Sequence, residues 1–211
     1  SYILEFTDTV IRIFTNEGIL TEATQVITGI TNANPAVVTI TGHGYSNGDS
    51  VIIESVEGMT EVNGLTFEIA NVAANTFELV GIDSTSFGTY TSGGTAKKIV
   101  EVTSPYAEAD LFDLQTAQNA DTMYIAHREY EPKKLTRTGA TTWTLTTHAP
   151  TALPITADNR PGAVTFYEQR LFYAGTNNDP QKIFGSKAGD FDDFTVGTAA
   201  DDGLAYTIGS S

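Results

Sequence analysis

Apolar and polar residues alternate with a period of two through most of the chain, which marks strands rather than helices. Val10 to Phe14 reads VIRIF, and a turn at Asn16-Glu17-Gly18 leads into Ile19-Leu20, a two-stranded start. Six further strand candidates follow: Val26 to Ile30, Ala36 to Thr41, Ser50 to Ser55, Leu65 to Val72, Thr76 to Val80 and Gly94 to Ile99. Asn34-Pro35, Gly42-His43-Gly44, Asn47-Gly48-Asp49, Asn63-Gly64, Ala74-Asn75 and Ser92-Gly93-Gly94 separate them with turn chemistry. Short strands at such spacing predict a small antiparallel barrel or sandwich. The pattern predicts a single short helix, Ala107 to Leu114, with Ser104 as N-cap, Pro105 at the first helical position, and Ala107, Leu111 and Leu114 on one packed face.

Beyond the helix the pattern repeats. A slide of about 48 residues carries Tyr124-Ile125-Ala126 onto Phe172-Tyr173-Ala174, Glu131 to Leu135 onto Asp179 to Ile183, and Trp143 onto Phe191, without a gap. Each copy reads as an aromatic-rich strand, an acidic-Pro turn, a strand opened by Lys and an element with one large aromatic, with Trp143 as a core anchor. A Pro-broken connector, Ala149 to Pro154, joins the copies. A period of this length is that of a propeller blade. The fold class expected is therefore all-β: a partial propeller-like β-meander carrying an inserted small antiparallel β-barrel. Residues 1–24 form an N-terminal hairpin of the hub, 25–99 the inserted barrel, and 100–211 the blade-like repeats. With no initial Met and strand-like runs at both ends, the chain reads as a fragment of a longer polypeptide.

Charge sharpens the boundaries. Between Gln25 and Ala96 there is no Lys or Arg but seven Asp and Glu, and basic residues return after Ala96. The net charge is −15, which argues against sequence-specific DNA binding, because most of the surface repels a phosphate backbone. Cysteine is absent, which excludes disulfides, thiolate metal sites and thiol catalysis. The sequence contains no apolar run long enough for a membrane-spanning helix and no basic leader.

Few residues point to chemistry. His43 lies between two glycines and reads as a turn residue whose ring caps a backbone group; His127 and His148 have no partner at metal-ligand spacing. Asp190, Asp192 and Asp193, with Asp201 and Asp202, are the Ca²⁺ candidates, set against the plainer reading of solvated turn carboxylates. Tyr124, Tyr130, Trp143, Tyr167, Phe172 and Tyr173 would line either a carbohydrate surface or a blade core, and their alternation favours the core. Arg128, Lys133, Lys134 and Arg137 form a local basic cluster: either an exposed strand pair or a contact to an acidic face of a neighbouring subunit. No residue set selects a catalytic centre or a cofactor, and none is expected.

The segment VVTITGHGYSNGDSVIIESVEGMTEVNGLTFEIANVAANTFEL carries Gly42-His43-Gly44, Asn47 to Val51, Val62-Asn63-Gly64 and Asn75 to Leu79. It resembles the first catalytic-cysteine half-domain of ubiquitin-activating enzymes, a small barrel also found in phage tail proteins. The resemblance implies no ubiquitin chemistry, since the cysteine is absent. YAEADLFDLQTAQNADTMYIAHREYEPKKLTR, TTWTL, the stretch Asn159 to Phe194 and the closing DDGLAYTIGS are similar to the body of phage tail proteins of the tail tubular or nozzle kind. That likeness implies a non-catalytic virion structural protein with a β-propeller hub, assembled in the host cytoplasm as a homo-oligomeric ring beside neighbouring tail proteins, with DNA passing through it. The alternative is a receptor- or glycan-binding adhesin module whose partner is a host surface receptor.

Overall fold

In the computed structural model, residues 1–15 and 18–209 are described. The protein is all-β, as the alternation predicts. β1 (Ile3–Thr7), β2 (Val10–Thr15) and β3 (Gly18–Ile19) come first, and Phe14 pairs with Ile19. The turn expected at Asn16-Glu17 lies outside the described residues. The chain divides into two compact units, one of residues 1–4 and 12–101, the other of residues 5–11 and 102–211.

In the first unit, β4 (Gln25–Val26), β5 (Gly29–Ile30), β6 (Val37–Thr39), β7 (Ser50–Glu57), β8 (Leu65–Ala70), β9 (Thr76–Leu79) and β10 (Ser92–Lys98) form a seven-stranded antiparallel sheet. Its order is β4-β10-β7-β8-β9-β6-β5. The expected barrel is not closed. Segment 25–30 pairs Val26 with Thr95 of β10 and then Ile30 with Val38 of β6, so it gives two residues to each edge instead of a continuous ladder to both. Alternation fills one face: Val51, Ile53, Phe67, Ile69, Phe77 and Leu79 are buried in one apolar cluster. In β7 the phase changes. Ser55 adopts a left-handed φ of 60°, and Val56 rather than Ser55 enters the core.

β11 (Glu101–Thr103) completes a sheet of order β1-β2-β11, with β3 paired to β2. The helix expected at Ala107 to Leu114 is instead a 3-10 helix, Glu108–Asp113, with none of its residues buried. Ala107, not Ser104, is its N-cap, and Ser104 is buried upstream of it. Six residues make too short a helix to carry an apolar stripe, and polar bonds hold it: Tyr130 Oη donates to Asp110 Oδ2 at 2.6 Å and accepts from Ala107 N at 3.2 Å.

The rest of the second unit contains two four-stranded antiparallel meanders. The first is β12 (Gln115–Asn119), β13 (Thr122–His127), β14 (Tyr130–Arg137) and β15 (Trp143–Thr147); the second is β16 (Pro161–Tyr167), β17 (Arg170–Thr176), β18 (Lys182–Gly185) and β19 (Leu204–Thr207). A shift of 48 residues carries the pairs Ala117↔Tyr124 and Gln115↔Ala126 onto Thr165↔Phe172 and Ala163↔Ala174. The gap-free register ends there. Tyr124 pairs with a residue ten positions later, Lys134, whereas Phe172 pairs with one thirteen positions later, Gly185. Trp143 and Phe191 are also not equivalent. Trp143 opens the edge strand β15 and is half-buried, while Phe191 lies in the 186–203 segment that precedes β19.

The two meanders share one core. Tyr124 and Ala126 of the first pack with Leu171, Tyr173 and Phe184 of the second, together with Leu153 and Phe194. Edge-to-face contacts knit it: Phe166 and Phe191 at 4.9 Å, Tyr124 and Phe166 at 5.6 Å.

Candidate functional site

The densest polar constellation is built where connector and loop meet the second meander. His148, just after β15, has its Nδ1 2.8 Å from Tyr173 Oη and its Nε2 3.1 Å from Phe191 O and 2.9 Å from Asp192 Oδ1. A backbone carbonyl and a carboxylate only accept, so Nε2 carries the proton and Nδ1 accepts from the Tyr173 hydroxyl. Lys134 Nζ closes the chain of contacts at 2.9 Å from Asp192 Oδ1. Burial holds the His148 pKa below the ordinary imidazole value, with Lys134 acting in the same direction and Asp192 against it. Burial also drives the Tyr173 hydroxyl well above the usual phenol range. The His148 side chain is fully buried, so its ring offers no access to a substrate, while the Asp192 carboxylate is exposed. Its effect is to pin segment 186–203 to the sheet. Thr151 N donates to Asp192 O at 2.8 Å and Phe194 N to Thr151 O at 2.9 Å.

Arg170 secures the same segment from β17. Buried itself, its guanidinium donates to the carbonyls of Ser186 (2.6 Å), Asp202 (2.5 Å) and Ala200 (2.5 Å). From the sequence His148 is weighed only as a metal ligand, and Arg170 is not singled out. Their partners stand 16 to 44 residues away, and neither His148 nor Arg170 belongs to a motif.

The Ca²⁺ candidates are committed to protein partners. Asp192 is bound as above, and Asp193 is held down to about 2 by Lys187 Nζ at 2.7 Å and by Thr195. Asp190 Oδ1 accepts from Asp192 N at 3.1 Å. Among the described residues no group of three His, Asp or Glu is arranged to hold a metal ion.

The basic residues separate along β14. Lys133 pairs with Ile125 and Lys134 with Tyr124, which puts them on opposite faces. Arg137 lies at the far end of the strand, 2.8 Å from Asp121, and Lys133 Nζ reaches Thr147 Oγ1 at 2.7 Å. Arg128, exposed in the β13–β14 turn, has no acidic partner among the described residues. It lies over Gly162, where a Cβ would fall 2.6 Å from its Nε.

Arg128 also borders a polar pocket of ≈ 420 Å³ lined by Asp110, Asp113, Gln115, His127 and Glu129. His127 is buried, and its Nδ1 accepts from Glu129 N at 3.0 Å. In the first unit His43 does the same for Tyr45 N at 3.0 Å, the backbone cap its setting predicts. An apolar recess of ≈ 320 Å³ lies on the outward face of β16–β18, over Phe172, Ala174 and Ile183.

Residues 33–99, the greater part of the seven-stranded sheet, match the family described as the ubiquitin-activating enzyme E1 FCCH domain. The chain is similar to ubiquitin-like modifier-activating enzyme 1 of Oryctolagus cuniculus, 33% identical over 96 residues, which is 41% of this chain and 9% of the relative. It therefore spans less than a tenth of that relative's length, and the match is to one module. Among solved structures, phage phi92 endosialidase is similar at a TM-score of 0.27 and 14% identity, over 98% of this chain and 37% of that one. A score of that size does not define a shared fold.

Proposed function

We infer that this chain is a non-catalytic structural component of a phage tail, a nozzle-like or tail-tube-end protein. Copies of it assemble into a ring, in the host cytoplasm and then in the virion, and DNA passes through that ring. The observation that carries this reading is the pair of consecutive four-stranded meanders packed face to face through one aromatic core, an arrangement that suits blades of a hub. The module at 33–99, a sheet without cysteine, fits an insertion that decorates the hub. The tail-like stretches of residues 106–209 support the same assignment. A net charge of −15 suits a lumen that must not retain a passing polyanion.

Arg128 is assigned to the subunit contact, because the other three cations of the group already have partners in their own chain. Sedimentation velocity tests the assignment. The protein sediments as a ring-sized oligomer and Arg128→Glu shifts it toward monomer; a native protein that remains monomeric at tens of micromolar would overturn the reading.

A second reading, glycan or receptor binding, is favoured by the polar pocket at Asp110, Asp113, His127 and Glu129. Its mixture of donors and acceptors suits a hydroxylated ligand. Binding of the protein to a glycan array, lost in His127→Phe, would establish it.

A further inference from the structure

The repeat contains its own statement of what a sheet face is for. In the first meander, Tyr124 and Ala126 point to one face, and that face is buried beneath Leu171, Tyr173 and Phe184 of the second. The residues 48 positions on, Phe172 and Ala174, occupy the same ladder positions in the second meander, opposite Thr165 and Ala163. Their face is uncovered. Ala163, Thr165 and Tyr167 are exposed along β16, with Tyr167 at 64%, and Tyr206 of β19, opposite Ile183, is 61% exposed. The apolar recess lies here. Phe172 packs against Gly185, where a Cβ would stand 2.7 Å from its ring.

We propose that the outward face of β16–β19 seats a further four-stranded sheet of the same repeat, following β19 in sequence as β16 follows β15. The proposal rests on the blade reading above. The occupant is defined by what already covers Tyr124 and Ala126: a sheet with large apolar residues at alternate positions of its second strand, as Leu171 and Tyr173 are on β17, and one on its third, as Phe184 is on β18. A second copy of this chain does not supply that face, because its own is already buried in the shared core. Sheets that pack this way stand about 10 Å apart, a gap that side chains of this size fill.

The chain has no cysteine, so one introduced thiol reports on the face without background. Ala163→Cys is made in the 211-residue chain, and again in an extended chain in which residues 148–208 are repeated once after Ile208. In the first protein the thiol reacts with Ellman's reagent as an exposed group; in the extended protein its rate falls by roughly tenfold or more, because access governs thiol reactivity. Adding Phe172→Glu to the extended chain restores the fast rate. Equal rates in the two proteins overturn the proposal, and so does a slow rate in the 211-residue chain that depends on protein concentration, since a second copy would then be the occupant.

Should the extended chain fail to fold, the 211-residue chain still tests the face. Thr165→Glu, at an exposed position of the same face, leaves its melting midpoint within about 2 °C, whereas a large drop shows that the face is already packed and overturns the proposal. Ring formation is measured separately. Protection without rings defeats the ring and leaves the sheet-on-sheet contact standing; rings without protection do the reverse.

Discussion

His148 and Arg170 show how single polar side chains hold a long irregular segment in an otherwise regular fold. His148 is neutral in its site, and a proton on Nδ1 would displace the Tyr173 hydroxyl from the lone pair it donates to. Its folded pKa lies below the unfolded value, so its contribution is complete above about pH 6.5 and is lost as pH falls through that value toward the lowered folded pKa. Asp192 adds to the slope at lower pH. Partial burial works against its charge, but Lys134 and His148 hold it below the ordinary carboxylate value. The melting midpoint therefore declines from pH 7 to pH 5, and His148→Gln flattens the upper part of that decline; an unchanged slope in the variant would remove His148 as its source. At Arg170, substitution by Met keeps the stem but orphans the carbonyls of Ser186, Ala200 and Asp202. The loss expected in urea denaturation is about 3 kcal/mol.

At the scale of elements, two tight turns stand out, because neither has Gly or Asn at its left-handed positions. The β12–β13 and β16–β17 hairpins turn on Ala120-Asp121 and Glu168-Gln169, with φ of 49° at Ala120, 45° at Glu168 and 61° at Gln169. At Glu168-Gln169 both central residues are left-handed, a geometry that suits Asn-Gly. Glu168→Asn with Gln169→Gly should stabilise the protein by about 1 kcal/mol, read as a rise in denaturation midpoint at constant slope; no gain would mean that the turn is held by its surroundings.

The same turns mark the limit of what the sequence discloses. Asn47-Gly48 and Asn63-Gly64 announced β7 and β8, and both glycines are left-handed, with φ of 85° and 73°. Ala120 and Glu168 announce nothing, yet the repeat of about 48 residues marked strands at Tyr124 to Ala126 and Phe172 to Ala174, which lie within β13 and β17. The repeat was legible over its first hairpin, where apolar residues face a common core. It was lost first between β17 and β18, where Phe172 meets Gly185 thirteen positions on instead of ten, and again where segment 186–203, held by contacts to His148 and Arg170, intervenes before β19. For the same reason Trp143, read as a core anchor, is half-buried on an edge strand, and Phe191 and Phe194 supply aromatic mass to the core instead. Phe194→Ala should accordingly cost about 3 to 5 kcal/mol, and Trp143→Ala less.

For the whole molecule, we propose that the matched module at 33–99 and the two stacked meanders belong to a decorated piece of a ring-forming tail hub. Among the described residues no three His, Asp or Glu are arranged to hold a metal ion, and the apolar recess over Phe172, Ala174 and Ile183 lies on a sheet face. The most direct test is electron microscopy of the purified full polypeptide. Closed rings of identical subunits, with the 33–99 module projecting from the rim, are the predicted result; isolated monomers at micromolar concentration would contradict the account.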